Sequence, residues 1–206
     1  MRIMLFLTPT AILLSGVTLA DEPQAAGFRL YVGTELSAQE TELDSGGFNT
    51  AGNFPNTGTV EEVGGAVGLK LGGEVGEALR FDLGYRKYEN QRFTTGSFAP
   101  PNPTFFYGSK VELETLMVSA YYELLQTPNH SIYCGAGIGT SRTEVSTNDT
   151  VVSGSERDSF DFAWQVELGL DYNLTDSMRF NTGVRYTDLG KTKVDLNPIG
   201  GGGARG

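Results

Sequence analysis

Side chains able to do covalent chemistry are scarce in this 206-residue chain, which has a single His, His130, and a single Cys, Cys134. A hydrolytic nucleophile needs a Ser or Cys with a base within hydrogen-bond reach. Only His130 and Ser131 bring both types together, and they follow the polar turn Thr127-Pro128-Asn129, where a His is expected to be solvated. One Cys forms no internal disulfide, and a structural zinc site wants about four Cys or His ligands. Gly135-Ala136-Gly137-Ile138-Gly139 is rich in glycine but lacks the Lys and the following helix of a phosphate-binding loop. The reading therefore assigns no catalytic, metal or cofactor-binding residue, and expects neither a cofactor nor enzyme activity. The balance of 15 Lys and Arg against 25 Asp and Glu also opposes nucleic-acid binding, which wants a basic face.

Charge at regular spacing is the remaining signal. Arg29, Glu35, Glu62, Lys70, Arg80, Asp82, Arg86, Glu123, Asp161, Glu167, Asp171, Arg179 and Arg185 all fall in stretches that alternate at period two with an apolar row. Phe160, Phe162, Trp164, Val166, Leu168, Leu170 and Tyr172, for example, interleave with Asp161, Ala163, Gln165, Glu167, Gly169, Asp171 and Asn173. Such alternation marks a strand with two unlike faces. Seven strands are expected, beginning near Phe28, Val63, Leu79, Leu116, Ile132, Phe160 and Met178. Their connections are long at about 39–61, 89–110 and 142–158, and short at about 72–77, 127–129 and 175–176. In a meander, successive connections lie at opposite ends, so short turns gather at one end and long loops at the other. That is the plan of an up-and-down transmembrane β-barrel.

Three features turn the apolar rows outward, toward lipid. They hold no charge, which suits a surface where Lys or Arg costs roughly 2–4 kcal/mol at the midplane. Tyr85, Tyr122, Phe160, Tyr172 and Tyr186 sit near their ends, as an interfacial aromatic girdle requires. Glycine, 28 residues in all, crowds the polar face, where it leaves room for long side chains from opposite strands. An eight-stranded interior is only just wide enough to be filled by side chains. The inward acids and bases are therefore read as a salt-bridge plug, with an ion path as the alternative.

Residues 1–20 have a charged start at Arg2, a short apolar run and small residues up to Ala20, the pattern of a cleaved secretory leader. The barrel is assigned to 21–190. The Gly-rich 191–206 is read as a tail or a truncated fourth outward loop.

Leu116-Met117-Val118-Ser119-Ala120-Tyr121-Tyr122-Glu123-Leu124, a turn, and Ile132-Tyr133-Cys134-Gly135-Ala136-Gly137-Ile138-Gly139 resemble paired strands of small outer-membrane barrels. Ala163 to Asp176 and Val184-Arg185-Tyr186-Thr187-Asp188-Leu189-Gly190 look like the next hairpin. The resemblance is to the opacity-protein, surface-antigen and OmpA-like barrels of Gram-negative bacteria, and covers most of 27–190. It implies an all-β, antiparallel, eight-stranded barrel with four outward loops. It further implies outer-membrane lipid and the outer-membrane assembly machinery as partners. Only seven strands have a counterpart here, and the expectation is an incomplete reading of a longer protein. The expected role is a non-enzymatic structural protein or surface antigen, with adhesion to a host or surface ligand through loops bearing Phe48, Phe54, Phe93, Phe98, Phe105, Phe106 and Tyr107. A small porin-like channel and a soluble secreted barrel for an apolar ligand are the alternatives.

Overall fold

The computed structural model describes the backbone of residues 2–12, 28–44, 59–76, 78–99, 102–148, 157–176 and 178–191, and side chains within 28–40, 63–76, 78–90, 110–144, 159–176 and 178–190. The strands are β1 (Arg2–Ile12), β2 (Phe28–Asp44), β3 (Thr59–Val75), β4 (Leu79–Tyr88), β5 (Gln91–Ala99), β6 (Asn102–Gln126), β7 (His130–Asn148), β8 (Arg157–Thr175) and β9 (Met178–Lys191). They form one sheet in the order β4-β3-β2-β1-β9-β8-β7-β6-β5, with β4 also paired to β6. That last pairing joins the sheet to itself. Eight strands close into a ring, and β5 stands outside it as the second arm of a hairpin with β6.

Alternation dictates the wall. In β4, Leu79, Phe81, Leu83, Tyr85 and Lys87 are exposed while Arg80, Asp82, Gly84, Arg86 and Tyr88 are buried. Successive side chains of a strand point to opposite faces, so the apolar row faces out and the charged row faces in. The short turns have local causes. Gly76, at φ +66°, closes the β3–β4 turn in a conformation that costs glycine little. Thr127 ties the β6–β7 turn by donating to the His130 carbonyl from both its backbone N–H (2.9 Å) and its Oγ1 (2.7 Å).

One expectation is corrected and another is extended. The long connections are largely strand: the stretch 89–110 contains β5 and the start of β6, β7 runs on to Asn148, and β2 and β3 pair up to Asp44↔Thr59. Crossing a membrane takes about 9–11 tilted residues, so the 25 residues of β6 reach well beyond the wall. The extensions lack apolar alternation, as in Thr94-Thr95-Gly96-Ser97, and are held by pairing between neighbours, which a linear pattern does not display. The seven expected strands are all present and antiparallel in the ring, and an eighth position is filled by a segment not counted among them. The segment read as a leader lies as β1 between β2 and β9, antiparallel to both. An extended apolar run can satisfy the two edges' backbone groups, which is costly to leave undone in lipid. Its fit to β9 is irregular, with register shifts at Arg2/Met4 and Leu5/Thr8. Pro9, which has no N–H to donate, lies within it.

Candidate functional site

The inward row assembles one connected network. At the short-turn end, Arg179 Nη1 lies 2.7 Å from Glu74 and 3.6 Å from Asp171. Arg80 donates to Asp171 at 2.7 Å, and its guanidinium stands 4.9 and 4.7 Å from the rings of Tyr121 and Tyr133. The Asn181 amide donates to Asp171 and to the Tyr133 hydroxyl, which itself donates to Glu167 at 2.7 Å. Arg185 bridges Glu167, at 2.8 Å from Nε, to Glu35. Glu35, only 1% exposed, also faces Arg86 at 2.8 Å and Lys70 at 3.2 Å. From Arg86 the chain of contacts continues to Gln165 (3.0 Å) and on to Ser119 (2.9 Å). A buried charge is tolerated only when paired and hydrogen-bonded. Here each carboxylate meets a cation supplied by a different strand.

Of the residues expected inside, Glu35, Lys70, Arg80, Asp82, Arg86, Glu167, Asp171 and Arg185 are buried there. Glu123 lies near the short-turn rim, 3.9 Å from both Arg80 and Arg179. Arg179 is half-buried, and Arg29 is exposed at that mouth. Asp161 is half-buried toward the other end and accepts from Ser159 Oγ at 3.1 Å. The Glu62 side chain falls outside the described residues. Sequence reasoning put Tyr31, Tyr121, Tyr133, Gln165 and Asn181 on the polar face without giving them a role, and it missed Glu74. Their strand phase was readable; their partners depend on register between strands.

The glycine expectation also needs correcting. Gly72, Gly135 and Gly169 are the register partners of Tyr31, Tyr121 and Tyr133 on the adjacent strand. A Cβ on each would fall 2.2–2.3 Å from that ring. These glycines seat a neighbour's tyrosine, so the room they make is used by the adjacent strand and not by one opposite.

The interior is graded. A vestibule of about 490 Å³ at the short-turn mouth is lined by Arg29, Glu74, Arg80, Asp171 and Arg179 among others. Beyond it lies the ionic network. Toward the long connections an apolar cluster follows: Ala66, Tyr88, Val111, Leu113, Met117, Ala163 and Leu189. Outside, Tyr85, Tyr122, Phe160 and Tyr172 are exposed as a girdle would be, whereas Tyr186 is half-buried with its ring centroid 5.4 Å from that of Trp164.

The candidate chemistry does not converge. His130 is exposed while Ser131 is buried, as strand alternation requires of neighbours. Cys134 is half-buried in the outward row opposite Tyr122 and Leu168. Among the described residues no group of His, Cys, Asp and Glu could hold a metal ion.

Comparison with known proteins matches residues 10–202 to the family model described as outer membrane protein beta-barrel domain. The outer membrane protein PagN of Salmonella typhimurium is 26% identical over 98 residues, covering 45% of this chain and 41% of that protein. A Rickettsia conorii protein designated a candidate adhesin is 21% identical over 154 residues, 71% of this chain and 59% of its own. An uncharacterized protein of Brucella abortus is 29% identical over 144 residues, with coverage of 60% and 51%. The chain thus spans about half the length of the curated relatives it matches.

Proposed function

Because the chain belongs to the outer membrane protein β-barrel family, we propose that it is a non-enzymatic barrel whose strand extensions and loops are displayed at the cell surface, as an antigen and an adhesive scaffold. In this reading residues 1–20 direct export, and on their removal the place that β1 holds between β2 and β9 passes to another strand, since open edges are costly in lipid; the assembly machinery inserts the barrel, and no cofactor takes part. The observation that carries it is the inverted partition: the apolar rows face out while a connected set of charges fills the lumen. The names of the Salmonella and Rickettsia relatives support surface display and, more loosely, adhesion. A soluble barrel for an apolar ligand would need those rows inside, so that alternative is dropped. A small channel is disfavoured by the ion pairs and apolar cluster that occupy the lumen.

The test has two steps. The protein should sediment with outer membranes and stay there in urea, and protease added to intact cells should trim it to a protected core. Expressed in a non-adherent host, it should raise binding to epithelial monolayers, and excising 45–58 and 149–156 should remove that gain. A protein recovered in the soluble periplasmic fraction would overturn the barrel reading. Unchanged binding would overturn adhesion alone.

A further inference from the structure

The outward rows of β4, β6 and β7 change character toward the long connections. Above Tyr85, Leu116 and Thr140 they continue as Lys87 on β4, as Glu114, Glu112 and Lys110 on β6, and as Arg142 and Glu144 on β7. Register sets Lys87 opposite Glu114 and Glu114 opposite Arg142, so a cation, an acid and a cation stand side by side on three adjacent strands. Strands lie about 4.8 Å apart, which separates the two cations by roughly 10 Å. Lys87 is 3.3 Å from Glu114, Arg142 is 3.7 Å from Glu144, and Lys110 pairs with Glu112. All three cationic side chains remain more than two-fifths exposed. Every other Lys or Arg among the described side chains points into the lumen or lines its mouth, so among the described residues this band lies on one flank.

A band of charge above a lipid-facing wall lies at the headgroups or beyond them, because its cost falls from a few kcal/mol at the midplane to about zero at the interface; its lowest rung, Lys87, Glu114 and Arg142, is the one at headgroup level. It begins two residues above Tyr85, about 7 Å along the strand. Exposed ion pairs of this kind add little stability of their own, and Glu112 stands directly opposite Glu144, an unfavourable like-charge pairing. Internal stability is therefore a poor explanation of the band. Exposed cations at headgroup level complement anionic phosphate. We propose that this flank of β4, β6 and β7 docks the phosphate-bearing headgroups of outer-leaflet glycolipid, with Lys87 and Arg142 as the principal contacts. Glu114, between them, competes with phosphate for both. The inference rests on the membrane reading above.

The test uses the full chain folded into phosphatidylcholine vesicles with and without diphosphorylated lipid A. Copolymer excision of the barrel with its lipid shell then gives the ratio of lipid A to phosphatidylcholine in the shell relative to bulk. The unaltered chain should enrich lipid A severalfold. Lys87→Gln combined with Arg142→Gln should cut that enrichment by about fivefold or more, since each basic residue at an anionic lipid surface contributes roughly 1 kcal/mol. Glu114→Gln should raise it, the opposite of what a purely structural ion ladder predicts. Absence of enrichment, its survival in the double variant, or a fall with Glu114→Gln overturns the proposal alone. A chain that forms no protease-protected barrel in either vesicle overturns the membrane reading and the proposal with it.

Discussion

Glu35 is the residue on which most of the interior charge converges, since Lys70, Arg86 and Arg185 all meet its carboxylate. Removing one member of a buried pair typically costs 3–5 kcal/mol, because the charge left behind has no water to replace its partner. Glu35→Leu removes the carboxylate that Arg86 faces and one of the two that face Lys70 and Arg185, and should fall at the upper end of that range. Equilibrium urea unfolding in vesicles, followed by the single tryptophan, measures it. Glu112→Gln, on an exposed pair, should shift stability by no more than about 0.5 kcal/mol. Equal losses in the two variants would show that the buried network is not the stabilising element it is taken to be. The charged members of this network were legible in the sequence, because a charge in the polar phase of an apolar strand has few places to go. Asn181 and Tyr31 could be placed in that phase but not in the network, since a neutral polar side chain there is equally at home facing water.

At the scale of strands, the tyrosine–glycine seats make a sharper prediction than the apolar pattern does. An added methyl at Gly135 or Gly169 meets the ring of Tyr121 or Tyr133 at 2.2–2.3 Å, and both rings are hemmed in by Arg80. Overpacking a filled interior costs about 1–3 kcal/mol. Gly135→Ala should lower the unfolding midpoint accordingly, and Tyr121→Ala in the same chain should recover part of the loss. A double-mutant cycle that shows no coupling would exclude the seat. On the outer face, Val166→Arg places a cation in mid-strand beside lipid and should reduce insertion yield by an equivalent of about 2–4 kcal/mol, read as the heat-modifiable fraction on gels. Val166→Leu should leave the yield unchanged. The wall strands were legible because lipid outside and charge inside impose period two on them. Their extensions were not, since 91–99 and 102–109 depend on β5–β6 pairing and carry no such alternation. The segment read as a leader lies as a strand between β2 and β9, because an extended apolar run suits a leader and a strand equally well.

For the whole molecule the open question is whether the lumen passes ions, and its layers decide the expected answer. The short-turn vestibule ends at the ionic network, and beyond that stand Tyr88, Val111, Leu113, Met117 and Leu189. Hydrophobic constrictions exclude ions by dewetting even where a gap exists, so the apolar cluster, which shares its level with buried Gln39, Thr115, Ser141 and Thr143, is expected to add a barrier beyond the ion pairs. Three states of the protein in planar bilayers separate the two barriers. The unaltered barrel should show no steady current. Glu35→Ala with Arg185→Ala loosens only the ionic layer, keeps the lumen's charge balance, and should still show none above baseline. Adding Leu113→Ser and Met117→Ser to that pair removes the dry layer as well, and this combination should conduct. Steady current through the unaltered barrel would mean that neither layer blocks it, and would restore the channel reading. Current in the charge-pair variant alone would assign the block to the salt bridges. Current that appears only when the apolar layer is also opened would make those side chains, hidden among charged neighbours in the sequence, the final seal of the barrel.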